Sequence, residues 1–225
     1  MITLYHCLAA RSFRPLWTLE EMGLPYTLNV LPFPPRFARR EYLDINPLGT
    51  VPAFFDDETG MTESAAICQY LVERYGPTPL AVSKDEAGFG AWLNWLHFGE
   101  ATLTFPQTLI LRYSRFETAE RRQPQVVSDY SRWFLARLRG IEAIVSTQEF
   151  LCAGRFTVAD ISVGYALLLA DLLGLASQFP PGVLAYWQRL KARPAYLSAC
   201  QAELAAAEAQ GVSTVLSPLI EPTAS

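Results

Sequence analysis

The chain has 225 residues, 51% of them hydrophobic and 18% charged, with a formal net charge of −4. Such a chain buries a large core, as one big domain or two small ones, and is not a disordered segment. Its acidic balance argues against a nucleic-acid partner, which demands a basic surface.

Residues 2–7 are rich in β-formers and predict a strand. Within 14–22, Leu16, Leu19 and Met22 share a helical face, and Gly23 with Pro25 beyond it predicts the stop. YTLNV at 26–30 alternates as a second strand, and an arginine-rich connection over 34–42 follows, with room for a short helix. A third strand is expected at 51–55, then turn residues 57–60, then a hairpin partner beginning at Met61 and Thr62. A helix over 64–75 carries Ile67, Leu71 and Tyr75 on one stripe and stops at Gly76 and Pro77. The order is β-α-β-α-β-β-α. After a proline-bearing stretch the character changes to long helical patterns at 85–115, 125–145, 158–173, 181–192 and 197–210, while the tail after Gly211 shows no pattern. The expected division is 1–77, a linker at 78–84, and an all-helical bundle over 85–225.

Cys7, Cys68, Cys152 and Cys200 are scattered without a CxxC, and His6 and His97 are the only histidines, so no metal-ligand spacing exists. These cysteines read as small buried hydrophobes of a reducing compartment. MITLYHC lacks the charged and apolar regions of a signal peptide, and no apolar run reaches the about 18 residues of a membrane span, so a cytoplasmic location with no membrane partner is expected. Lys84 and Lys191 are the only lysines; the other basic side chains are arginines, suited to bidentate carboxylate contacts.

Two local signatures stand out. In NPLGTVPAFFDDETGMTESAAI, residues 46–67, Pro52 heads an apolar run although it cannot donate a ladder hydrogen bond. In FTVADIS, Thr157 and Asp160 form a capping box ahead of a helix that is apolar nearly all round, which assigns Asp160 to folding.

The domain order, NPLGTVPAF with Pro52, Thr62-Glu63-Ser64 at a helix start, and FTVADIS in a helical half together resemble the cytosolic glutathione transferases over roughly residues 1–210. WLHFGEATL at 95–103 is similar to their bacterial and fungal serine-type branch. The resemblance implies an α+β fold, a thioredoxin-like N-terminal domain followed by an all-α bundle, and a cytoplasmic homodimer without metal. It implies that reduced glutathione is conjugated to a small hydrophobic electrophile. Pro52 would be cis, and the Val51 backbone would pair with the cysteinyl backbone of glutathione as one strand adds to another. Ser64 would receive the γ-glutamyl carboxylate at a helix N-terminus, and Glu63 would meet the γ-glutamyl ammonium. Thr50 stands where the family often has lysine or glutamine, and Arg39 or Arg40 would then reach the glycyl carboxylate.

The thiol-activating position departs from the pattern. The family's serine or cysteine lies four residues before an arginine of the first helix; counting back from Arg14 gives Ala10. Ser12, Tyr5 and Arg11 are the candidate substitutes, with Cys7 as a mixed-disulfide former and the Ala10 and Arg11 N–H groups as backbone donors. The electrophile would meet Leu8, Phe98, Thr102, Phe105 and Tyr113. Two alternatives stay open: a non-catalytic binding module, and a glutathione-dependent disulfide reductase or lyase working through Cys7.

Overall fold

The computed structural model describes residues 1–216. They form two compact units, Met1–Thr78 with Lys191–Leu216, and Pro79–Leu190.

The first unit holds a four-stranded sheet in the order β2-β1-β3-β4, with β1 (Ile2–His6), β2 (Tyr26–Val30), β3 (Ala53–Asp56) and β4 (Thr59–Met61). β1 runs parallel to β2 and antiparallel to β3, with Leu4 opposite Phe54 and Tyr5 opposite Ala53. The β1–β2 crossover is α1 (Phe13–Met22), ended by Gly23 at φ +61°. Between β2 and β3 lie α2 (Pro35–Ala38) and a 3-10 turn, Arg40–Asp44. α3 (Ser64–Arg74) follows β4. β3 begins at Ala53 rather than at residue 51, which leaves Val51 and Pro52 ahead of the ladder. β4 begins two residues earlier than expected, because Asp57, at φ +49°, and Glu58 alone make the turn.

Directly paired residues share a sheet face, and successive residues alternate. Phe54 packs edge-on against Tyr70 of α3, so Leu4 and Phe54 mark the α3 face. Tyr5 lies on the other face, against Tyr42 and Phe55.

The expected division changes at its C-terminal end: α9 (Pro194–Ala209) belongs to the first unit, not to the helical bundle. Arg193 grips the Glu21 carboxylate with two bonds of 2.7 and 2.8 Å, and Tyr196 packs edge-on against Trp17 and Phe13. Gln210 closes the free edge of β2, accepting from Val30 N–H and donating to the Leu28 carbonyl, both at 2.8 Å. Residues 217–225, the end of the expected bundle and tail, lie outside the described residues.

The second unit is helical: α4 (Phe89–His97), α5 (Phe105–Leu111), α6 (Pro124–Val145), α7 (Val158–Leu172) and α8 (Pro181–Lys191). The single helix expected over 85–115 starts at Phe89, is interrupted by a π-helical segment, Phe98–Thr104, and ends in a second, Arg112–Phe116. α7 is the core helix, buried from Val158 through Leu167. Gly99 is required there, because a Cβ would collide with Ser162 of α7.

Candidate functional site

The stretch 46–52 is built by local turn chemistry. Asn46 Oδ1 accepts the Leu48 N–H, and Gly49 at φ +60° closes the turn, where a side chain would strike Arg36 Cβ at 2.6 Å. The Thr50 carbonyl then accepts both the Tyr42 hydroxyl at 2.7 Å and the Asn46 amide at 2.8 Å. Thr50 itself is exposed. The Val51–Pro52 peptide is cis. Among the described residues, the Val51 N–H and C=O make no hydrogen bond.

α3 begins without a side-chain cap. Glu63 occupies the N-cap position, and its carboxylate is exposed and takes no hydrogen bond or ion pair among the described residues. The N–H groups of Ser64, Ala65 and Ala66 likewise have no partner among them. Ser64 is 2% exposed and accepts from Arg14 Nη1 at 3.1 Å, so its own O–H remains to donate. Arg14, fully buried on α1, thereby ties that helix to the start of α3. The helix dipole and these open donors make an anion-accepting corner beside a free carboxylate.

The loop from β1 to α1 reaches the same neighbourhood. Ala10 and Val51 both pack on the apolar cluster of Cys7, Leu31, Tyr42 and Ala53. The candidate donors of this loop fare differently. Ser12 is fully buried and its oxygen accepts the Cys7 N–H at 3.4 Å, so it is turned inward to the loop's own backbone and is withdrawn as a thiol donor. The Ala10 N–H is spent on the Cys7 carbonyl at 3.1 Å and is withdrawn as a backbone donor. Burial pushes the Cys7 thiol up to about 12, which removes its nucleophilic form. Cys68 and Cys200 are pushed up to about 12 and about 11 by burial as well. Arg11 is partly buried.

Tyr5 packs on the same cluster as Ala10, but the sheet separates its ring from α3. It lines a cleft of about 410 Å³ with Asn29, Arg39, Glu41, Tyr42 and Gln210. Arg39 is half-exposed there, 4.0 Å from the Glu41 carboxylate. Leu8 packs against Val30, Ala207 and Val212 within the first unit. In the second unit, Phe98 stacks edge-on with Trp95 at 4.9 Å, and Phe98 and Thr102 lie on the first π-helical segment. Phe105, at the start of α5, is 57% exposed. Tyr113 lies on the second π-helical segment beneath the Arg112 guanidinium.

Sequence reasoning used Arg14 only as a marker for counting and missed its bond to Ser64. It also missed Glu203 of α9, whose Oε2 accepts His6 Nε2–H at 2.8 Å and the Ala9 N–H at 3.2 Å. No local pattern signals a contact across 197 residues. Among the described residues no cluster of side chains fits a metal ion, and no helix is long and apolar enough to cross a membrane.

The family model for the N-terminal domain of glutathione S-transferase matches residues 10–74. Glutathione S-transferase 3 of Schizosaccharomyces pombe is 30% identical over 209 residues, covering 87% of this chain and 85% of that protein. Glutathione S-transferase GstA of Escherichia coli O157:H7 is 27% identical over 189 residues, 83% and 90% of the two chains. Among solved structures, the glutathione transferase URE2P6 of Phanerochaete chrysosporium in complex with oxidized glutathione superposes with a TM-score of 0.78 at 27% identity, covering 91% of this chain and 97% of that one. Its sheet, its helical half and these relatives agree: the chain belongs to the glutathione S-transferase family.

Proposed function

We propose that this protein binds reduced glutathione and transfers its thiolate to a small hydrophobic electrophile. The observation that carries the reading is the open start of α3, where uncapped N–H groups and the Ser64 O–H stand beside the free Glu63 carboxylate. An amino acid zwitterion has the matching charges: its carboxylate meets the helix end and its ammonium meets Glu63. Val51 supplies an unspent N–H and C=O for the peptide backbone of the ligand. The URE2P6 complex with oxidized glutathione supports the choice of ligand. Arg39 takes the glycyl carboxylate, with a weaker contact from the exposed Thr50. In the second unit, Phe98, Thr102, Phe105 and Tyr113 are the candidate contacts for the electrophile, and the π-helical segments support that role because such distortions recur at functional sites. The protein works as a homodimer in the cytoplasm, without a metal.

A free thiol of pKa about 8.5 is only a few per cent ionised at neutral pH, so the site must favour the thiolate. Ser12 is buried and Ala10 has no hydroxyl, which leaves the Arg11 charge, with the Tyr5 phenol second. Calorimetric titration with reduced glutathione and S-hexylglutathione tests the binding half: saturable binding of both supports it, and no binding at millimolar concentration rejects it. Ala10→Ser tests the chemistry, and should raise turnover of 1-chloro-2,4-dinitrobenzene by about tenfold or more. A non-catalytic binding module is the second reading, favoured by Ala10; it predicts glutathione binding with no turnover in either form. Disulfide exchange through Cys7 is disfavoured, since that thiol is buried and held in its neutral form.

A further inference from the structure

Ala9 adopts φ +54°, a left-handed conformation unfavourable for a residue with a Cβ, in the middle of the β1–α1 loop. The hydrogen bond of its N–H to Glu203 is therefore notable. A single oxygen of Glu203, reaching in from α9, accepts the Ala9 N–H at 3.2 Å and His6 Nε2–H at 2.8 Å. His6 is fully buried and Glu203 nearly so, where a charge-assisted hydrogen bond is strong and an unpaired donor is costly. α9 is itself locked to the unit at both ends, by Arg193 on Glu21 and by Gln210 on the β2 edge. The carboxylate thus connects a rigid helix to one amide of one loop.

We propose that Glu203 is a positioning residue for thiol activation: by holding Ala9 in its left-handed turn it sets where Ala10 and Arg11 stand against the glutathione sulfur. The inference rests on the reading of this loop as the seat of the thiol. It matters more here than with a serine at position 10, because without an available hydroxyl in this loop the placement of the Arg11 charge is what the loop itself has left to favour the thiolate. Small misplacements of such groups are costly to the chemical step while leaving ligand binding elsewhere intact.

The test uses the full chain. Wild type, Glu203→Ala and Glu203→Ala/Ala9→Gly are compared by circular dichroism for folding, by calorimetry with reduced glutathione, and by turnover of 1-chloro-2,4-dinitrobenzene. The ultraviolet absorbance of the bound thiolate against pH reports the pKa of the glutathione thiol. Glycine adopts positive φ without a Cβ penalty, so it should restore the turn when the strap is gone. Folded Glu203→Ala should lose about tenfold or more in kcat and bind a glutathione thiol of higher pKa, while glutathione affinity stays within about threefold. Adding Ala9→Gly should recover most of the kcat. Unchanged kcat in Glu203→Ala, or a loss that Ala9→Gly does not recover, overturns the proposal. If Glu203→Ala does not fold, Glu203→Gln makes the same test at smaller amplitude, because a neutral oxygen holds both N–H groups more weakly. Absence of glutathione binding by wild type would overturn the binding reading and this inference with it; binding by wild type with no effect of the substitutions overturns the inference alone.

Discussion

α3 and α7 begin in opposite ways. α7 is sealed by its own chain: Thr157 accepts the Ala159 N–H at 3.3 Å, and Asp160 accepts the Thr157 N–H at 2.9 Å, the Leu151 N–H at 3.1 Å and the Tyr186 hydroxyl at 2.8 Å. α3 has no such seal, and the residue at its N-cap position, Glu63, points an acceptor at nothing among the described residues. A missing cap costs about 0.5–2 kcal/mol of stability. The contrast teaches that the two helix starts differ in kind: the sealed one holds a core helix in place, and the open one leaves donors and a positive dipole end unspent, as the proposed glutathione site requires.

The comparison breaks most visibly at Asp160. Asp160→Ala strands four buried donors, the Thr157 hydroxyl at 3.2 Å among them, and should cost at least about 3 kcal/mol in denaturant unfolding, with little change in glutathione affinity of the folded protein. A loss of affinity without a loss of stability would invert the assignment. The same carboxyl sharpens the contrast through pH. Burial raises it from 3.8 to about 6, against the hydrogen bonds that favour its charge. Between those values the folded chain keeps a proton that the unfolded chain has released, so this contribution is full below 3.8 and is lost as pH rises through 6. At about 1.4 kcal/mol per pKa unit the swing is about 3 kcal/mol. The stability margin of wild type over Asp160→Asn should therefore shrink between about pH 4 and about pH 7, and a margin that grows would contradict the buried assignment.

At the open start, Ser64→Ala should weaken glutathione binding by about 1.5–3 kcal/mol, the usual worth of a hydrogen bond to a charged group, read by calorimetry. A melting temperature that falls while affinity holds would return Ser64 to a purely structural role through Arg14. The smallest effect belongs to Thr157→Ala, about 0.5–2 kcal/mol of stability with glutathione affinity unchanged. If it weakened glutathione binding as much as Ser64→Ala, the two helix starts would not be independent.

Much of this was legible along the chain. Alternation at 26–30, the stop at Gly23, the capping box and the unusual proline at position 52 are local facts, written in neighbouring residues by backbone sterics and hydrogen-bond geometry. They determined the element order, the fold class and the segment 50–64 that carries the candidate binding corner. What only the tertiary structure decided were pairings between distant residues and the exposure of single side chains. Spacing does not reveal that Ser12 turns inward, that Tyr5 takes the face opposite α3, or that Arg14 reaches Ser64 across 50 residues. Nor does it reveal that α9 joins the first unit and lays Glu203 on Ala9 across 194 residues. The physical reason is the same in each case: a local pattern specifies which face of an element is apolar, while the partner that covers it is chosen by the packing of the whole unit.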